Sequence, residues 1–114
     1  MNKYHARERT CRQGHSHHST REAERCDELT IMERAKLIDH LQQQPVFELQ
    51  KKFEFDGVKY RAVQYIADFS YFENGKYIVE DVKGMRTPLY LLKKRLFLYW
   101  MNKRRMNFNF LESD

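Results

Sequence analysis

Two aspartates and a lysine, Asp68, Asp81 and Lys83, give this chain its clearest chemical potential: oxygen ligands for a divalent cation beside an amine. They lie in YIADFSYFENGKYIVEDVKG, from Tyr65 to Gly84, where two β-like runs flank Asn74-Gly75. Asn-Gly between such runs is the strongest short hairpin signal. A two-residue type I′ turn sets Glu73 against Lys76, and the same count sets Asp68 against Asp81 and Ile66 against Lys83. Side chains alternate along a strand, so Asp68, Asp81 and Lys83 share one face. Opposed carboxylates weaken a hairpin, and a cation held by oxygen ligands removes that penalty. The plain alternative is a surface hairpin in which Lys83 pairs with an acid, at little gain. Against it, Tyr77 and Val79 on this face and Phe69, Tyr71 and Ile78 on the other are apolar, so the charges are partly buried, where isolation is costly. Parity separates Asp81 from Glu80, which points to the other face, toward water or a basic group at the sheet edge.

The elements that must position these residues can be read from both flanks. Ser19-Thr20-Arg21-Glu22 forms a capping box and opens a helix expected to reach about Leu41. Gln42-Gln43-Gln44-Pro45 then ends it, because a residue before proline resists the helical region. From Val46 the pattern is β-like: VFELQKKFEF, a second hairpin signal at Asp56-Gly57, and a return strand. Thr87 and Pro88 are the N-cap and first residue of a second helix, Pro88–Trp100. Leu89, Leu92, Leu96 and Trp100 follow helical spacing on it, with Lys93, Lys94 and Arg95 around the flank. Met106–Leu111 is a short last strand. These elements imply a mixed α/β (α+β) domain: a small central sheet built from β-hairpins and flanked by two helices.

A chain of 114 residues, 41% hydrophobic and 14% aromatic, is one folded domain, 1–114, rather than a disordered chain. Residues 1–18 form an extended basic and histidine-rich arm. No apolar run approaches the roughly 20 residues that span a bilayer, and the N-terminal run lacks the apolar core of a secretory signal. Cys11 and Cys26 are therefore expected as reduced thiols of a cytoplasmic protein. His15, His17 and His18, with Cys11 nearby, match no paired zinc signature. Net charge is +5 with an isoelectric point near 9.3, unevenly spread. Lys83 to Arg105 holds eight basic residues and no acid, whereas Glu22 to Asp39 holds six acids. A basic stretch beside a carboxylate site fits phosphate-backbone binding; a solvated helix face is the plainer reading.

An aspartate on one strand followed by Asp81-Val82-Lys83 on the next resembles the PD-(D/E)XK nuclease superfamily. The ordered runs KYHAR at Lys3–Arg7, REAER at Arg21–Arg25, YIADF at Tyr65–Phe69 and VEDVKG at Val79–Gly84 extend the likeness. With Thr87 and KKRLF at Lys93–Phe97 they are similar to a small, mostly phage-encoded family placed within that superfamily. The resemblance runs from Lys3 to about Tyr99. It implies a restriction-endonuclease-like fold and metal-dependent hydrolysis of DNA phosphodiester bonds. Asp68, Asp81 and the Val82 carbonyl would hold Mg²⁺, or Mn²⁺ in its place, a donor set suited to a cation that keeps several waters. Lys83 would orient or deprotonate the attacking water. Glu22 matches a helix glutamate that such nucleases place beside the metal, although its capping role is sufficient explanation by itself. Arg86, Lys93, Lys94 and Arg95 would hold the DNA backbone without reading bases. A protein this small covers little DNA, so a homodimer cutting two strands is expected, in the host-cell cytoplasm if the chain is phage-encoded. His17 and His18 depart from the family, which has an aromatic residue and an acid there. The competing class is a non-catalytic module on the same fold that binds nucleic acid or a host protein.

Overall fold

Asn74 and Gly75 adopt φ of 53° and 75°, the left-handed values that a type I′ turn requires. The strands they join, β8 (Phe69–Glu73) and β9 (Lys76–Val82), pair from Glu73↔Lys76 to Phe69↔Glu80, the register that the turn dictates. The computed structural model describes residues 9–10, 16–17, 20–82 and 86–113. Lys83, Ser19, His15, His18, Cys11 and the KYHAR run lie outside them. In chain order the remaining elements are β1 (Arg9–Thr10), β2 (Ser16–His17), α1 (Thr20–Arg34), β3 (Asp39–Gln43), β4 (Val46–Gln50), β5 (Phe53–Phe55), β6 (Val58–Tyr60) and β7 (Val63–Ile66), with α2 (Pro88–Lys103) and β10 (Phe108–Ser113) after β9. The fold is mixed α+β.

The central sheet has the order β10-β9-β8-β3. β3, β8 and β9 are antiparallel, whereas β10 lies parallel to β9. A parallel neighbour needs a crossover, and α2 supplies it. Because inward positions alternate, each sheet face meets one helix. Phe69, Tyr71 and Ile78 pack with Ala23, Cys26 and Leu29 of α1. Val79 joins Tyr65, Phe97 and Met101 on the α2 side, with Phe108 and Phe110 alongside. β1 and β2 pair antiparallel, so part of the expected extended arm is a short ladder.

Three expectations are corrected. α1 stops at Arg34 rather than Leu41. The Leu37 amide donates to Met32 (2.9 Å) and the Lys36 amide to Glu33 (3.0 Å), with Lys36 at φ 61°. This is a Schellman stop built without glycine, and it frees Asp39–Gln43 to become an edge strand. The Glu33 carboxylate then accepts the Leu41 amide at 2.9 Å. Secondly, the Val46–Ile66 hairpin is not part of the central sheet: β4 pairs with β7, and β5 with β6, as separate ribbons. Thirdly, α2 begins as expected, with Thr87 accepting the Tyr90 amide at 3.1 Å, but runs to Lys103 and buries a different side. Phe97 and Met101 are buried, while Leu89, Leu92 and Leu96 are exposed. Among the described residues, no helix is long and apolar enough to cross a membrane.

Candidate functional site

Asp68 and Asp81 stand where the β8–β9 ladder ends. Asp81 is fully buried and Asp68 is 8% exposed. Had the ladder continued one step, the two would have paired directly. Instead the chain bends at Asp68: its amide donates to the Glu80 carbonyl at 3.2 Å, and its carboxylate accepts the Val82 amide at 2.6 Å. The side chain thus substitutes for a ladder bond and is aimed along β9 toward the backbone just beyond Asp81. Asp81 faces α2, where its carboxylate accepts the Tyr65 hydroxyl. Tyr65 stacks obliquely on Phe97, 4.7 Å between centroids, which holds that hydroxyl in place.

Neighbouring strands add a residue that sequence reasoning passed over. Glu112 of β10 lies directly beside Asp81 in register. Its carboxylate accepts the Tyr90 hydroxyl, Lys94 at 3.2 Å and Arg86 at 3.1 Å. Partial burial pushes the Glu112 carboxyl up, but bonds from Tyr90, Arg86 and Lys94 outweigh it and hold it below its ordinary range. Burial, then the bond to Glu112 and the nearby Asp81 charge, raise the Tyr90 phenol. Arg86 and Lys94, expected on a DNA-facing surface, are therefore tied to an acid. Lys94 also lies 5.4 Å from the Phe110 ring centre. Lys93, by contrast, lines an open cleft of about 380 Å³ with Tyr65, Ile66, Thr87 and Tyr90. Arg95 is exposed.

On the opposite face Glu80 is 2% exposed, and it does not sit at a wet sheet edge. Arg25 of α1 donates to it from Nε (2.6 Å) and Nη2 (3.0 Å), and the Tyr71 hydroxyl donates at 2.8 Å. Glu80 raises the Arg25 pKa against the effect of burial; burial and then Glu80 raise that of Tyr71. Arg25 and Glu80 both sit within the quoted runs REAER and VEDVKG, yet only the packing shows them as one bidentate pair. Glu22, one turn before Arg25's end of that network, is 4% exposed, deeper than a capping carboxylate needs. α1 covers the face opposite Asp81. Among the described residues, no group of three or more His, Cys, Asp or Glu side chains is placed to hold a metal ion. Asp68 and Asp81 are thus the candidate pair, and Glu22 is a buried residue of α1.

The fold and this geometry define a mixed α+β protein with buried acids at the end of its central strands, between two helices. The chain belongs to the family described as "Protein of unknown function (DUF1064)", whose model matches residues 1–111. No curated protein and no solved structure matches the chain.

Proposed function

We propose that this protein is a metal-dependent endonuclease of the PD-(D/E)XK kind, hydrolysing DNA phosphodiester bonds. One observation carries the reading: a helix, three antiparallel strands, a crossover helix and a parallel strand bring Asp68 and Asp81 to adjacent strand ends, both nearly inaccessible to water. That order is consistent with a restriction-endonuclease-like core. Two carboxylates held this close in so buried a place are costly without a cation. The pair, with the Val82 carbonyl as a further oxygen donor, would suit Mg²⁺, or Mn²⁺, with its remaining ligands water. When bound, such a cation lowers the pKa of its water and neutralises charge on the phosphate. The chain's own residues set the stage. The Tyr65 hydroxyl and the Val82 amide fix one carboxylate each, as outer-shell partners do for ligands. Lys83, two residues beyond Asp81, would orient the attacking water, and Lys93 and Arg95 would attract the backbone. Glu22 would be a further ligand on its likeness to the family motif.

A homodimer accounts for the apolar stripe that α2 leaves outward, Leu89, Leu92, Leu96 and Tyr99, and for cutting both strands. A phage origin would place the protein in the host cytoplasm. The test is incubation of purified protein with plasmid, single-stranded and branched DNA in Mg²⁺, Mn²⁺ or EDTA, with Asp81→Asn as control. Nicking that requires the metal and Asp81, and a melting temperature raised by Mg²⁺ in wild type alone, is the expected result. DNA binding without cleavage in any metal would return the non-catalytic module instead.

A further inference from the structure

Residues 51–61 are all exposed, although four of them are large and apolar. In the β5–β6 ribbon Phe53 pairs with Tyr60, Glu54 with Lys59 and Phe55 with Val58. Cross-strand partners point the same way and successive residues opposite ways. Phe53, Phe55, Val58 and Tyr60 therefore form one face, and Glu54 and Lys59 belong to the other. Their exposures run from 45% at Tyr60 to 69% at Phe55, and an isolated two-stranded ribbon is marginal in water. The Phe53 and Tyr60 rings lie 4.9 Å apart and within 12° of parallel. Basic residues flank the ribbon at Lys51, Lys52, Lys59 and Arg61, against two acids, Glu54 and Asp56.

A second copy of the chain is a poor occupant for this face. Four side chains on two three-residue strands offer far less than the roughly 800 Å² per partner of a stable interface, and the surplus of positive charge would meet itself. A polyanion with flat apolar groups fits both features. We infer that the β5–β6 ribbon is a nucleic-acid contact whose Phe53–Tyr60 pair stacks on an unpaired base while its flanking lysines and arginine meet phosphates. Base stacking on aromatic rings is indifferent to sequence, so this contact selects unpaired structure rather than a base order. The ribbon also continues directly into the site. Tyr60 precedes Asp68 by eight residues, at most about 26 Å of extended strand, which is less than one turn of duplex. A branch point held on the ribbon thus leaves a duplex arm within reach of the acids. This inference rests on the proposed action on DNA and names the substrate class, branched or flapped DNA.

The test uses the full chain in EDTA, with a flap carrying 2-aminopurine at the branch and a matched duplex. Wild type should bind the flap more tightly and change its fluorescence. Phe53→Ala with Tyr60→Ala should weaken flap binding by about ten-fold or more and abolish the fluorescence change, leaving duplex binding within about three-fold. Tyr60→Trp should restore both, which also controls for folding. Unchanged flap binding by the double variant, or equal loss on duplex and flap, overturns the inference even if wild type cleaves DNA. A wild-type dimer that the double variant converts to monomer in sedimentation would assign the face to a second copy and also overturn it. Wild type that neither binds nor cleaves any DNA would remove the nuclease reading along with it.

Discussion

Glu112 shows what a single side chain can organise. Three donors on two elements converge on it, one from the segment after β9 and two from α2. Its folded pKa is depressed, so its contribution to stability is present above the unfolded carboxylate value and is lost as pH falls through the folded one. Glu112→Gln should therefore melt earlier than wild type at neutral pH, and the gap should close below about pH 4. A gap that is constant from neutral to acid in thermal scans would mean the carboxylate's charge is irrelevant. Arg25 makes the complementary case. Replacing it with methionine keeps the packing but leaves Glu80 buried without its cation, at a cost of about 3 kcal/mol, to be measured by urea unfolding. Neither acid's role could be read from the residues around it. The β8–β9 register was legible as far as Phe69↔Glu80 because a hairpin turn fixes it locally, but the bend at Asp68 that stops the Asp68–Asp81 pair has no turn signal. Glu112 faces Asp81 across a parallel ladder reached through a crossover helix, and no local signal counts through that. Arg25 was hidden because it lies in a helix whose partner strand is more than fifty residues away.

At the scale of elements, both hairpin turns were legible and both helices were partly misjudged. The far end of the β8–β9 hairpin was not legible, because Ile66 pairs with Val46 in a separate ribbon. Turn chemistry is strict: Asn74-Gly75 and Asp56-Gly57 both form their turns with positive φ at each position. The stop of α1 falls instead on Lys36 in the left-handed region, where no glycine marks it, so the apolar pattern ran on into an edge strand. In α2, LYLLKKRLFLYWM offers apolar residues on almost every side, and periodicity alone cannot choose among them. Packing chose Phe97 and Met101. The consequence is testable by a pair of truncations. Phe97→Ala removes a ring enclosed by Phe47, Tyr65 and Phe110 and should cost about 3–5 kcal/mol. Leu92→Ala at the exposed face should stay within about 0.5 kcal/mol in the monomer. Should Leu92→Ala cost the more of the two at low protein concentration, the buried side of α2 has been assigned wrongly.

The whole molecule distributes its basic residues in two ways, and this decides which of them can meet DNA. Arg86 and Lys94 both bond the Glu112 carboxylate, while Lys93 opens onto the cleft beside Tyr65 and Tyr90 and Arg95 faces outward. A cation already matched by a carboxylate adds little to the field seen by a phosphate, whereas an outward cation displaces counterions when DNA binds. Lys93→Ala with Arg95→Ala should therefore reduce the slope of log affinity against log salt by about two units, one for each lost phosphate contact. Lys94→Ala should leave that slope nearly unchanged and lower the melting temperature instead, because it strips Glu112 of a partner. Binding titrations across a salt series, paired with thermal melts of the same three proteins, separate the two classes. If Lys94→Ala flattens the salt slope as much as the Lys93 and Arg95 pair does, the Glu112 ion pairs open when DNA binds, and the basic run of α2 acts as one continuous surface.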